Sequence, residues 1–139
     1  MDNREAVQTA NAEFYKAIEA ATIERMEALW SHSEEVRCVH PGWDLLIGWG
    51  RVRESWERIF ESDQRMRIHP SEVRVSAVEG FAWVTCIENI TVFQDNSFDT
   101  VQAAATNLFI SRDDRWLLVH HHASPIPMIV PDTASDTIQ

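Results

Sequence analysis

The run Trp116-Leu117-Leu118-Val119-His120-His121-His122-Ala123-Ser124 closes an apolar segment with three consecutive histidines. Side chains on an extended strand alternate between faces, so His120 and His122 share one face and His121 points to the other. Two imidazoles on one face, with a carboxylate nearby, suit proton transfer because histidine titrates close to neutral pH. The same groups suit metal ligation, with Glu88 or His40 as a further ligand, but no spacing in the sequence sets a third ligand and no metal is expected. Whether these residues meet depends on the elements that carry them.

Those elements divide into a helical half and a stranded half. Val7, Ala10, Phe14 and Ile18 recur at helical spacing, and behind Thr22 as N-cap the pattern resumes at Ile23, Met26, Leu29 and Trp30. Val36 to His40 reads as a short strand stopped by Pro41-Gly42, and a third helix carries Val52, Trp56, Ile59 and Phe60 on one face, as core. Four strands follow, at about 67–78, 81–93, 98–111 and 115–124, divided by the turn signals Glu79-Gly80, Asp95-Asn96-Ser97 and Asp113-Asp114. Helices first and an antiparallel meander after them define an α+β domain.

Tight turns set the strand register: Val78 faces Phe81, Phe93 faces Phe98 and Arg112 faces Arg115. One face then gathers Val73, Val75, Ala82, Val84, Cys86, Glu88, Ala103, Ala105, Asn107, Phe109, Trp116, Leu118, His120 and His122. Small residues beside Glu88, Asn107 and two histidines describe a cavity with a few convergent polar groups. In this register Asn107 lies opposite His120, and Ala105 opposite His122. The other face keeps Trp83, Ile87, Leu108, Leu117 and Val119, with His121, where a solvated sheet should turn polar. An apolar patch of that kind predicts a homodimer packed through the outer sheet face.

Composition removes several classes of function. The 139 residues are 45% apolar, enough for one core, and no apolar run reaches the roughly 18–20 residues of a membrane span. The formal net charge of -10 argues against nucleic acid, and the polar start Met1-Asp2-Asn3-Arg4-Glu5 predicts a cytoplasmic protein. Cys38 and Cys86 fall within apolar strand patterns and read as buried free thiols.

The motif W-x-x-V-H-x-H-x-S-x-x-P, formed by Trp116, Val119, His120, His122, Ser124 and Pro127, resembles the last strand of the association domain of calcium/calmodulin-dependent protein kinase. Together with His40-Pro41-Gly42-Trp43 and Ala105-Thr106-Asn107 it is similar to the SnoaL-like proteins of the nuclear-transport-factor-2-like superfamily, over about residues 4 to 127. The resemblance implies a cone-shaped fold, with three N-terminal helices packed on a strongly curved, mostly antiparallel sheet. It also places His40, before Pro41, where ketosteroid isomerase carries its general-base aspartate, and Tyr15 where that enzyme binds an oxyanion. The kinase association domain, by contrast, forms a ring around a pocket and catalyses nothing.

The sequence therefore predicts a single domain over 1–127 with a flexible tail over 128–139, and a pocket for a small molecule. Its catalytic candidates are His122 and His40 as proton acceptors, with Glu88 as the orienting partner. Tyr15, Asn107 and His120 are ligand-binding candidates, and Trp43 and Trp49 either cover the cavity mouth or merely pack a lid. No cofactor is expected. Isomerase, dehydratase or cyclase chemistry and non-catalytic assembly are both open alternatives to simple binding.

Overall fold

The computed structural model describes residues 2–62 and 64–127, so the tail expected over 128–139 lies outside the described residues. Helix α1 (Asn3–Ala20) opens with a capping box, in which Asp2 accepts from the Glu5 amide and the Glu5 carboxylate accepts from the Asp2 amide. Its buried stripe is Val7, Asn11, Phe14, Tyr15, Ala17 and Ile18, and it stops where Ala21 turns left-handed at φ 54°. After the short α2 (Ile23–Glu27) come β1 (Arg37–Val39), β2 (Leu46–Ile47) and α3 (Trp49–Glu61), which buries Val52, Ser55 and Trp56. The two-residue β2 is an element that the sequence pattern does not announce.

The long strands are β3 (Arg65–Val78), β4 (Phe81–Gln94), β5 (Ser97–Arg112) and β6 (Arg115–Ile126). They form one six-stranded sheet in the order β2-β1-β6-β5-β4-β3, in which only the β1 and β6 pair is parallel. The three predicted hairpin registers all occur: Val78 pairs with Phe81, Phe93 with Phe98 and Arg112 with Arg115. No helix among the described residues is long and apolar enough to cross a membrane.

Two irregularities bend this regular frame. In β3 the pairing with β4 shifts between Ser71 and Arg74, where Glu72 takes a φ of 52°. In β6 Phe109 pairs with Leu118 but Leu108 pairs with His120, which leaves Val119 as an extra residue. Leu118 is held on its other side by the segment after α2: its amide donates to the Leu29 carbonyl at 2.8 Å and its carbonyl accepts from the Ser31 amide at 2.9 Å. Beyond the bulge every β6 side chain changes face.

The helices close the inner face of the sheet around an aromatic centre. Phe14 meets Tyr15, Trp30, Trp56 and His121 edge-on, with ring centroids 4.9 to 6.5 Å apart. Because Phe14 is fully buried and touches α3, β6 and the segment after α2, Phe14→Ala should lower the unfolding free energy by about 3–5 kcal/mol in urea titration, the range for emptying an aromatic core site.

Candidate functional site

The bulge at Val119 decides which histidine faces inward. His121 is 2% exposed and lies opposite Asn107, whereas His122 is exposed and pairs with Thr106. The orientation expected for the triplet is thus reversed: His120 and His122 stand on the outer face with ring centroids 6.0 Å apart, and His121 stands inside. The expectation failed because it carried the hairpin register unbroken along β6, and neither glycine nor a turn residue marks the bulge. The reversal also divides the ligand set weighed for a metal, since Glu88 and His40 remain inside. Among the described residues no three His, Cys, Asp or Glu groups are placed to hold a metal ion.

Inside, α1, β4, β5 and β6 contribute to one polar ring, hydrogen-bonded except where His121 and Glu88 approach at 3.8 Å. The Tyr15 hydroxyl donates to Glu88 Oε2 at 2.8 Å and lies 3.3 Å from Cys86 Sγ. Asn107 Nδ2 donates to Tyr15 Oη at 3.1 Å and to Asn11 Oδ1 at 2.9 Å. Both amide hydrogens are then committed, so Asn107 Oδ1 is the acceptor for His121 Nδ1 at 2.6 Å. That assignment makes Nδ1 the protonated nitrogen of His121 and leaves the Nε2 lone pair 3.8 Å from Glu88 Oε2.

Burial determines the charge state of the ring. It raises the Glu88 carboxyl to about 7, although the Tyr15 hydroxyl acts in the other direction. Burial also drives His121 well below the usual histidine range, with His40, His120 and His122 adding to the effect, and lowers His40 to about 4. Tyr15 is raised, first by burial and then by Glu88, and Cys86 rises to about 11 by burial. Burial thus pushes Glu88 towards the neutral carboxylic acid and His121 towards the neutral imidazole, which disfavours an ion pair between them.

Glu88, His121 and His40 line a cavity of about 520 Å³ whose wall is otherwise largely apolar, with Ile18, Ile59, Met66, Ile68, Ile90 and Val92 beside them. His40 sits against Trp43 and Trp56 at centroid distances of 4.8 and 4.6 Å, and its Nε2 is 2.8 Å from Ser55 Oγ. Ser55 in turn donates to the Val52 carbonyl, so its hydroxyl accepts from His40. The Trp56 indole N–H is buried without a hydrogen-bond partner among the described residues, a donor left over in the cavity wall.

Of the residues picked from sequence, His40 and Glu88 line this cavity and Trp43 forms part of its rim at 39% exposure, while Tyr15 and Asn107 lie behind the wall, bonded to Glu88 and His121. Trp49 does not reach the cavity; it stacks on His32 at 4.6 Å and packs beside Trp30. Sequence reasoning passed over Asn11 and Ser55, read Trp56 as core without its place in the cavity wall, and missed the inward role of His121. Asn11 and Ser55 carried a usable signal, each being polar within the buried stripe of an amphipathic helix.

The helices on a curved sheet and the polar groups at its centre define the nuclear-transport-factor-2-like class of cone-shaped α+β domains. Residues 7–129 match the model of the SnoaL-like domain, and the chain belongs to that family. A proposed dehydratase of the NTF2-like family from Streptomyces avermitilis is 33% identical, with a TM-score of 0.82 over 88% of this chain and 95% of that one. A proposed calcium/calmodulin-dependent protein kinase type II association domain from Thiobacillus denitrificans is 27% identical, with a TM-score of 0.74 over 86% and 94% of the two chains. The F-box protein SKIP8 of Arabidopsis thaliana is 31% identical over 119 residues, 86% of this chain but 49% of that protein. The chain thus spans about half the length of that curated relative.

The raised Glu88 carboxyl gives a pH test. Its contribution to stability is complete below the unfolded value of about 4.5 and is lost as pH rises through the folded value of about 7, because the folded state retains the proton longer. Glu88→Gln keeps an acceptor for Tyr15 but cannot ionise. Its unfolding free energy relative to wild type should increase by roughly 3 kcal/mol between pH 4.5 and 7.5, measured by urea denaturation at a series of pH values.

Proposed function

We propose that the domain binds a small, largely apolar molecule in the Glu88 and His121 cavity, with His40 and Trp43 in the roles foreseen for the pocket, Tyr15 and Asn107 holding Glu88 and His121 from behind the wall, and His121 in place of His120 and His122. The observation that carries this reading is a carboxyl group and two imidazoles buried in the wall of an apolar cavity large enough for a ligand. Polar groups in such a place have a use when a ligand arrives with one hydroxyl or carbonyl to match them. A screen of small apolar compounds by thermal shift checks the proposal. Hits should stabilise the wild type, by about 2.7 kcal/mol at a hundredfold excess over Kd, and should lose their effect in Val92→Trp, where a half-buried wall residue is enlarged into the cavity. Hits that act equally on Val92→Trp would sink it.

Glu88 favours a second reading, proton-transfer catalysis of the isomerase, dehydratase or cyclase kind. A carboxyl group that titrates near 7 exchanges protons readily at neutral pH, and the free Nε2 of His121 faces it. Its S. avermitilis relative, a proposed dehydratase, is consistent with that chemistry. On this reading Glu88→Gln binds the same compounds but reduces turnover by about 10²–10⁴-fold, the usual worth of a general acid or base.

Assembly is proposed through the outer sheet face, where Trp83 is 38% exposed and Ile87, Leu108 and Leu117 are half-buried. His121 is removed from that patch and Val119 packs partly against the core. Trp83→Glu should shift the sedimentation coefficient from dimer to monomer without loss of helical signal; an unchanged coefficient would rule this face out.

A further inference from the structure

The cavity opens towards the end of the sheet where β3 begins, and a second hollow of about 710 Å³ adjoins it there. The two share Ile18, Ile59, Ser62, Gln64 and Met66 and so lie side by side at this end of the sheet. Charge is distributed unusually along them. The chain holds 22 acidic residues against 12 Lys and Arg, yet among the described residues the charged groups lining the two hollows are Arg58, Arg65 and Arg67 against Glu19 and Glu88. The three arginines are exposed at the mouth, while Glu88 lies at the buried end. The pairings that involve them are loose: Arg58 reaches Glu54 at 3.9 Å and Arg67 reaches Glu19 at 4.0 Å, both at the exposed surface. Glu19 is also engaged by the Ile68 amide at 2.8 Å.

Strand register sets the distance between the two ends. Pro70 lies opposite Glu88, Arg67 opposite Thr91 and Arg65 opposite Phe93, three and five residues further out, or ~10 and ~16 Å of strand. Between them the inner surface is Met66, Ile68, Ile90 and Val92, with no charged residue. An apolar passage with a cationic mouth matches a molecule with an apolar chain and an anionic head.

We infer that the ligand is an amphipathic carboxylic acid, held with its carboxylate at Arg58 and Arg65 and its apolar chain running inward towards Glu88. Guanidinium groups bind carboxylates by paired N–H donors, and at the mouth they retain enough water to release the acid again. An anionic head would be repelled by Glu88 once ionised, so the acid enters apolar end first. This inference rests on the binding reading above and adds the chemical class of the ligand.

Isothermal titration calorimetry at low ionic strength with decanoic acid and with decanol tests it. The acid should bind wild type at least roughly tenfold tighter than the alcohol, the scale of a charge-assisted contact. In Arg58→Gln/Arg65→Gln, at exposed positions outside the core, that advantage should disappear while decanol affinity stays the same. Equal binding of acid and alcohol, both lost in Val92→Trp, would overturn the inference and leave the pocket reading standing. Acid binding that survives Val92→Trp would mark a surface contact and overturn it, as would binding of neither compound; in that last case the compound screen decides the pocket reading separately.

Discussion

Asn107 is the point on which the interior depends. It has no exposed surface and four groups converge on its amide region: Asn11 and Tyr15 from α1, His121 from β6, and Glu88 through both of the last two. A buried amide that lost one of these partners would leave a donor or acceptor unsatisfied, at a cost of about 1–3 kcal/mol. The ring therefore ties the first helix to the middle of the sheet by directional bonds, where apolar packing alone would tolerate small rotations. It also gives His121 a defined tautomer, which no amount of burial could do.

Electrostatics and packing reinforce each other around that ring. The aromatic rings of Phe14 and Trp56 and the strand interior remove water from Glu88, His40 and His121, and so push all three towards their neutral forms. Two imidazoles and a carboxyl group can then share one apolar cavity without charge repulsion. The charged arginines lie at the other end, in water, where they cost little. The result is a gradient across two neighbouring hollows, from neutral polar groups to exposed cations, built on a chain whose formal charge is -10.

The outer face of the sheet is a separate surface with a different composition. Strand alternation places Trp83, Ile87 and Leu108 there, and the bulge adds His120 and His122. One irregular residue thus gives β6 an inner face that serves the pocket and an outer face that is more polar than the hairpin register alone would give.

Much of this was legible in the residues. Helical spacing located α1 and α3, hairpin signals located the long strands and three registers, and alternation along β4 and β5 put Glu88, Cys86, Ala105 and Asn107 on one buried face. Short-range physics suffices for these, because apolar period and turn chemistry act over a few residues. The exchange of His121 for its neighbours was not legible, since the bulge arises where Leu118 is held by the backbone of Leu29 and Ser31, about ninety positions away in the chain. Nor did the sequence show that Trp49 stacks on His32, that Asn11 and Asn107 meet, or that Arg58 and Arg65 line neighbouring hollows. The sequence by itself determined the helices, the long strands and the inner face of β4 and β5; only the tertiary structure decided the inner face of β6 and which buried residues touch, because bulges and helix docking depend on partners that the local pattern cannot contain.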